Sequence, residues 1–317
     1  MRIVDLINQK NSTPFSFEVL PPLKGDGTER LYQTIDCLLE FEPRYVNITA
    51  HRSEYVYREL EGGLVQRLRL RRRPGSIAIA AAIQRRYGLR VVPHLVCSGN
   101  TREDLEYQLI DLQFLGISDL LVLRGDKAKD EPTFKPTGDG PLHATDLIEQ
   151  VNRFNNGFFH DGSPIRHPGE PFSFGVACYP EKHEEAPNPK ADLDVLKRKV
   201  SLGAEYAVTQ LFFDNERYFS FLRRAREEGI TVPIVPGVKP LSKLSQLSVL
   251  PKTFHCDLPE ALYAEARKCK TDADVKELGI EWAVEQCKGL LKGGAPNIHF
   301  YTVGAAESVR RIARQIY

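Results

Sequence analysis

The chain has 317 residues, 42% of them apolar and 27% charged, the composition of a globular protein with a substantial core. Lys and Arg number 43 against 42 Asp and Glu, so a net charge of +1 supplies no global field toward nucleic acid or an anionic membrane. Six scattered cysteines form no CxxC pair and read as reduced thiols. The N-terminal MRIVDLINQKN lacks the apolar core of a signal peptide, and no window approaches a membrane span, so a cytoplasmic location without a membrane partner is expected.

In chain order, the first apolar run is FSFEVL from Phe15, a buried strand with an acid, Glu18, near its end and Pro21-Pro22 to stop it. ERLYQTIDCLLEF, residues 29–41, places Leu31, Ile35, Leu38 and Leu39 on one helical face. YVNIT from Tyr45 reads as a second strand. RLRLRRRPG, Arg67 to Gly75, is a basic patch: a solvated face, or an anion-steering surface for a polyanionic substrate. VVPHLV from Val91 and DLLVLRG from Asp119 are further strands, separated by a helix over 102–116 with Thr101 as N-cap and Gly116 as stop. After a loop-like insertion at 156–171 come FSFGVACYP from Phe172, a helix over 191–204, YAVTQLFF from Tyr206 and the helix NERYFSFLRRAREEG. VPIVPGV from Val232, NIHFYT from Asn297 and a closing helix ESVRRIARQIY complete the series.

Eight near-continuously apolar runs alternating with helices predict an α/β fold with a parallel sheet, and the count predicts a (β/α)8 TIM barrel spanning 1–317 as a single domain. Active sites of such barrels lie at the carboxyl ends of the strands. Those ends carry Glu18, Asn47, Thr49, His94, Arg124, Asp126, Tyr179, Glu181, His183, Gln210, Phe212, Asp214, Lys239 and Tyr301. Singly, each has an ordinary structural reading: His94 as a satisfied core histidine, Arg124–Asp126 as a turn pair, Gln210 as a partner for backbone groups. Their common placement argues for a site, because converging polar groups each need a buried partner. HEEAP at 183–187 lacks zinc-ligand spacing, and no metal is expected. The GDG stretches at Gly25 and Gly138 are not a GxGxxG between strand and helix, so no Rossmann dinucleotide site is indicated.

The motifs SFEVLPP, PHLVC, LVLRGD, GVACYPEKHEEAP, LKRKVSLGAEYAVTQLFFD and IHFYT, in this order and at compatible spacings, resemble the flavin-dependent methylenetetrahydrofolate reductases of bacterial type. The resemblance runs from about Phe15 to the end of the chain and is most specific from Val176 to Asp214. It implies a catalytic barrel that binds FAD, takes a hydride from NAD(P)H and passes it to 5,10-methylenetetrahydrofolate by ping-pong kinetics, feeding methionine synthesis. It further implies Glu18 as the acid that protonates the folate, Asp126 as the acid between flavin and pterin, and Gln210, Gln246 and Thr49 in the substrate site. Thr49, His94, Arg124, Gly125, Asp126, Ala144, Tyr179, His183, Asp192, Arg198 and Lys199 fall on its cofactor-binding positions.

The chain departs from the family pattern at several points. AHRSEY follows Thr49 in place of a tyrosine, a glycine and small residues, and His143 stands for a frequent tyrosine. Leu250 stands for a phenylalanine, and Ala305 for an arginine that often follows the FYT strand. These departures bear on nicotinamide and glutamate-tail binding. The eukaryotic C-terminal regulatory domain is not expected, nor is nucleic-acid binding, whereas self-association into a homo-oligomer is. Two rival readings stay open: the same flavin barrel reduced by an iron–sulfur or flavoprotein partner, and a non-redox folate-binding or methyltransferase-type barrel.

Overall fold

Near-continuously apolar runs become parallel strands because both of their faces are covered, and the amphipathic segments between them supply that cover. The computed structural model describes residues 1–10, 12–128 and 131–317. Its elements begin with helix α1 (Ile3–Ile7), strand β1 (Phe15–Val19), α2 (Glu29–Asp36), β2 (Val46–Ile48), β3 (Glu54–Glu59), β4 (Val65–Leu70), α3 (Ser76–Tyr87) and β5 (Val91–Val96). Next are α4 (Arg102–Phe114), β6 (Asp119–Leu123), α5 (Ala144–Asn155), β7 (Ser173–Cys178), α6 (Pro189–Ser201), β8 (Tyr206–Thr209) and α7 (Asn215–Glu227). The remainder is β9 (Ile234–Val235), β10 (Gly237–Val238), α8 (Gln246–Phe254), α9 (Glu260–Lys268), α10 (Asp272–Lys292), β11 (Ile298–Tyr301) and α11 (Ala306–Ile316). The fold class is the (β/α)8 barrel that the apolar runs predict.

The chain forms two compact units. One comprises Met1–Leu20, Tyr32–Asn47 and Ser173–Tyr317; the other comprises Pro21–Leu31 and Ile48–Phe172. In the first unit β11 lies between β1 and β10, all parallel, and the register sets Glu18 beside Tyr301. Strands β7, β8 and β9 are likewise parallel neighbours. Phe15, Phe17 and Phe300 are fully buried, with ring centroids 5.7 Å apart for Phe15–Phe17 and 5.5 Å for Phe15–Phe300. The buried Arg44 guanidinium donates to the carbonyls of Ile7 (3.0 Å) and Pro296 (2.8 Å), tying α1 to the entry of β11. In the second unit β5 and β6 pair in parallel with His94 beside Leu121, and β3 and β4 form an antiparallel hairpin. The hairpin turns at Gly62 and Gly63, whose φ of +85° and +75° suits glycine alone. Of the six free thiols, Cys97, Cys178, Cys256 and Cys287 are buried and Cys37 and Cys269 half-buried.

The structure refines several expectations. The helix predicted over 29–41 stops at Asp36 and resumes as a 3₁₀ turn at Leu39–Phe41. VPIVPGV is two short strands, broken at Pro236, which has no N–H to give to a ladder. The basic patch contains a strand, β4, and leads into α3. Thr101 caps α4 as expected, its hydroxyl accepting from the Asp104 N–H at 3.0 Å.

Gly279 of α10 tests the packing of the first unit. A Cβ there would lie 2.1 Å from the Leu241 carbonyl oxygen, so the helix can approach that backbone only as glycine. Helix propensity alone gives Gly279→Ala a gain of about 1 kcal/mol. Overpacking reverses the sign, and a net loss of about 1–3 kcal/mol in urea denaturation is expected.

Candidate active site

Alternation along β1 turns Phe15, Phe17 and Val19 to one face and Ser16 and Glu18 to the other, and all five are buried. Glu18 is 9% exposed, and burial raises its carboxyl from 4.5 to about 8, with the charge of Lys239 pulling the other way. Lys239 follows β10, is equally buried, and donates from Nζ to the Val303 carbonyl at 3.2 Å. Burial lowers its pKa, and Glu18 opposes that shift. Tyr301, the register partner of Glu18, donates its hydroxyl to the Thr209 carbonyl at 2.6 Å, and burial followed by the Glu18 charge holds its phenol well above the usual value. Gly237 makes room for this ring, since a Cβ there would lie 2.6 Å from it. The Thr302 hydroxyl donates to the Glu18 carbonyl and fixes the end of the strand. The result is a carboxyl group that carries its proton at neutral pH in a dry place, the requirement for a general acid.

Gln210 and Gln246 belong to the same unit. The Gln210 side-chain oxygen accepts from the Leu211 N–H at 2.9 Å, and that of Gln246 from the Ser242 N–H at 2.7 Å. Both amides are thereby oriented with the NH₂ as the outward donor. Tyr179 and His183, after β7, meet edge to face with centroids 4.8 Å apart. His183 Nδ1 accepts from the Glu185 N–H at 3.2 Å, which puts the ring proton of the neutral form on Nε2. Asp192 accepts the His183 N–H at 3.1 Å, and burial raises its carboxyl. Lys199 reaches back to the Ala177 carbonyl at 3.1 Å, while Arg198 is exposed on the last turn of α6. Glu181 is a second perturbed acid: burial raises it to about 7, and one of its oxygens accepts from the Asp257 N–H at 3.2 Å.

The second unit holds the remaining sequence-predicted residues. Thr49 Oγ1 lies 3.3 Å from His51 Nε2. His94, on β5, is buried, and desolvation with some help from His51 pushes its imidazole down to about 3, so it is neutral. The LRGD turn is clamped by Ser98, whose N–H donates to the Arg124 carbonyl at 2.9 Å and whose hydroxyl donates to the Asp126 carbonyl at 2.7 Å. Gly125 sits at φ +79°, and a Cβ there would lie 2.8 Å from the Ser98 Cβ. The Arg124 guanidinium lies 4.9 Å from the Phe134 ring centroid, a cation–π contact. Asp126 is exposed, and Ala144 is buried at the start of α5. Among the described residues no group of three or more His, Cys, Asp or Glu is placed to hold a metal ion, and no helix is long and apolar enough to cross a membrane.

A model of the methylenetetrahydrofolate reductase family matches residues 2–317. The chain belongs to the methylenetetrahydrofolate reductase family. It is 32% identical over 293 residues to the 5,10-methylenetetrahydrofolate reductase of Pectobacterium carotovorum subsp. carotovorum, covering 92% of this chain and 86% of that one. It is 31% identical over 315 residues to methylenetetrahydrofolate reductase (NADH) 1 of Arabidopsis thaliana, covering 97% of this chain but 49% of that protein, so the chain spans about half the length of its plant relative. A Clostridium thermocellum protein described as binding two copies of 5-methyl-5,6,7,8-tetrahydrofolic acid shares the fold, with a TM-score of 0.57 at 15% identity over 99% of this chain and 98% of that one.

Within this reductase-family chain, sequence motifs bring out Glu18 but not the groups that tune it. Lys239 was legible only as a cation after a strand, and Ser98 and Thr302 only as small polar residues following PHLVC and IHFY. The pKa of Glu18 has a measurable consequence. The unfolded carboxyl titrates near 4.5 and the folded one at about 8, so between those values the folded state holds the extra proton and stability falls as pH rises. Glu18→Gln flattens that fall and gains stability toward the alkaline end, as urea denaturation at stepped pH reads directly; an unchanged slope would remove Glu18 as a buried neutral acid.

Proposed function

We propose that the chain reduces 5,10-methylenetetrahydrofolate to 5-methyltetrahydrofolate with NAD(P)H through bound FAD, feeding methionine synthesis. In this reading residues 1–317 act as a single catalytic domain in a cytoplasmic homo-oligomer. The observation that carries it is the protonated carboxyl of Glu18 at the end of β1, in a chain of this family. Glu18 delivers its proton to an amine of the folate, so that the five-membered ring opens to the electrophilic iminium that takes a hydride. Lys239 limits how far the carboxyl pKa rises, which keeps the proton transferable. Gln210 and Gln246 offer amide donors to the pterin, and Thr49 and Asp126 complete the substrate contacts.

The residues present fit an FAD. When bound, FAD stores the hydride between nicotinamide and folate. The bare backbone at Gly125 admits a flat group where any Cβ would collide with Ser98. His94 stays neutral, and His183 turns an N–H outward from a ring braced by Tyr179. Arg124, Arg198 and Lys199 are cations suited to a pyrophosphate, with Asp192 and Ala144 on the remaining cofactor positions.

An anaerobic visible spectrum during stepwise addition of NADH or NADPH tests the reading. Purified protein is expected to be yellow, to bleach with nicotinamide and to recolour with methylenetetrahydrofolate. Failure to bleach with either nicotinamide would replace it with a protein electron donor, and a protein colourless even with added FAD would overturn the redox assignment. In the same apparatus, Glu18→Gln is expected to bleach normally but to recolour more slowly by a factor on the order of 10²–10⁴.

A further inference from the structure

The basic run that follows the hairpin lines a cavity. Within the second unit, the segment after Pro21 and the segment from Leu70 to Pro74 enclose about 750 Å³, within the usual size range of a ligand site. Lys24, Arg71 and Arg73 bring three cations to its wall, against one acid, Asp26; Thr28 adds a hydroxyl and the buried Ile79 an apolar floor. The walls are fastened to one another. The Lys24 N–H donates to the Arg72 carbonyl at 2.7 Å, and the Arg73 guanidinium donates to the Pro21 carbonyl. Among the described residues neither Lys24 nor Arg71 makes an ion pair. The positive charge of Arg73 is felt at His51, whose pKa it helps to lower, and His51 is the ring beside Thr49. The cavity therefore opens next to a residue assigned above to the folate site.

We propose that this cavity is a subsite for the carboxylate-bearing tail of the folate substrate, an oligo-γ-glutamate chain, with Lys24 and Arg71 as its principal cations. The inference rests on the folate reading above and adds a place for the tail. Three features select an extended carboxylate chain over a single phosphate. The cations are spread along two segments, Lys24 and Arg71 are exposed so that each contributes modestly, and the Lys24 N–H is already used by Arg72 and so supplies no backbone anion nest. A ligand with several spaced charges gains from all of them at once. The position after the last strand where relatives often carry an arginine is the buried Ala305, so a tail cation has to come from elsewhere in this chain.

The test compares mono- and pentaglutamyl methylenetetrahydrofolate in the wild type and in Lys24→Gln/Arg71→Gln, alongside binding of a fluorescent penta-γ-glutamate peptide. For the wild type, a KM about tenfold lower for the pentaglutamate and salt-sensitive peptide binding are expected. In the variant the KM advantage and the peptide binding disappear, while kcat and KM for the monoglutamate stay as they were. An advantage that persists in the variant, or equal peptide binding by both proteins, overturns the subsite. A rise confined to the KM for NADPH assigns the cations to a nucleotide phosphate and equally overturns it. Peptide binding that is lost in the variant, in a protein that turns over neither folate, sustains the subsite and rejects the reductase reading.

Discussion

Burying the Glu18 carboxyl without a full counter-charge is the constraint around which the first unit is arranged. Desolvation favours the neutral form by several pKa units, and a chain that only needed a stable strand would place an apolar residue there. Instead β1 ends one residue later at Val19, with Pro21 and Pro22 beyond it. Tyr301 stands beside the acid by register, and Lys239 stops the proton from being held too tightly. Gly237 is part of the same arrangement: it lacks the Cβ that would displace the Tyr301 ring, and it donates its N–H to Thr209 Oγ1 at 2.9 Å, one residue's reach from the carbonyl that accepts the Tyr301 hydroxyl.

The second unit solves a different problem, which is to hold backbone and neutral rings in place without charge. Ser98 grips the carbonyls on either side of Gly125, and that glycine occupies a left-handed conformation where a side chain would meet Ser98. His94 is kept from protonating by burial, so it acts as a hydrogen-bonding group and not as a cation. Positive charge is instead exposed, at the Lys24 and Arg71 rim of the cavity. Neutral groups inside and cations at the edge suit a substrate with an uncharged reacting ring and an anionic end.

The parts legible in the sequence were those set by local chemistry. FSFEVLPP announces a strand, its stop and its acid within eight residues, and Thr101 announces the start of α4. The hairpin of β3 and β4 was hidden because QRLRL alternates arginine with leucine, and its charge masked a strand period. The helix expected to reach Phe41 lost its middle because Leu38 and Leu39 are shared between a helical face and a turn. The importance of Lys239 could not be read locally at all. A lysine after PGV looks like any exposed cation until β10 is set beside β11 and β11 beside β1, which brings its charge to Glu18. Roles that depend on non-local pairing, such as those of Lys239, Gly237 and Ser98, leave only the faint signature of a small or charged residue in the right loop.

The disposition of the six thiols has a practical side. Burial pushes Cys97 and Cys256 up to about 12 and Cys178 and Cys287 higher still, so none of these four offers a thiolate to an electrophile in the folded chain. Cys37 and Cys269 are half-buried and belong to the same unit. Cys37 is further slowed by burial and by neighbouring carboxylates, Glu307 first among them. An alkylating dye therefore meets a graded series in the native protein: Cys269 is the readiest handle, Cys37 a reluctant second, and the interior four become visible only on unfolding. The chain carries its own reporter of global opening, readable by mass without a single substitution.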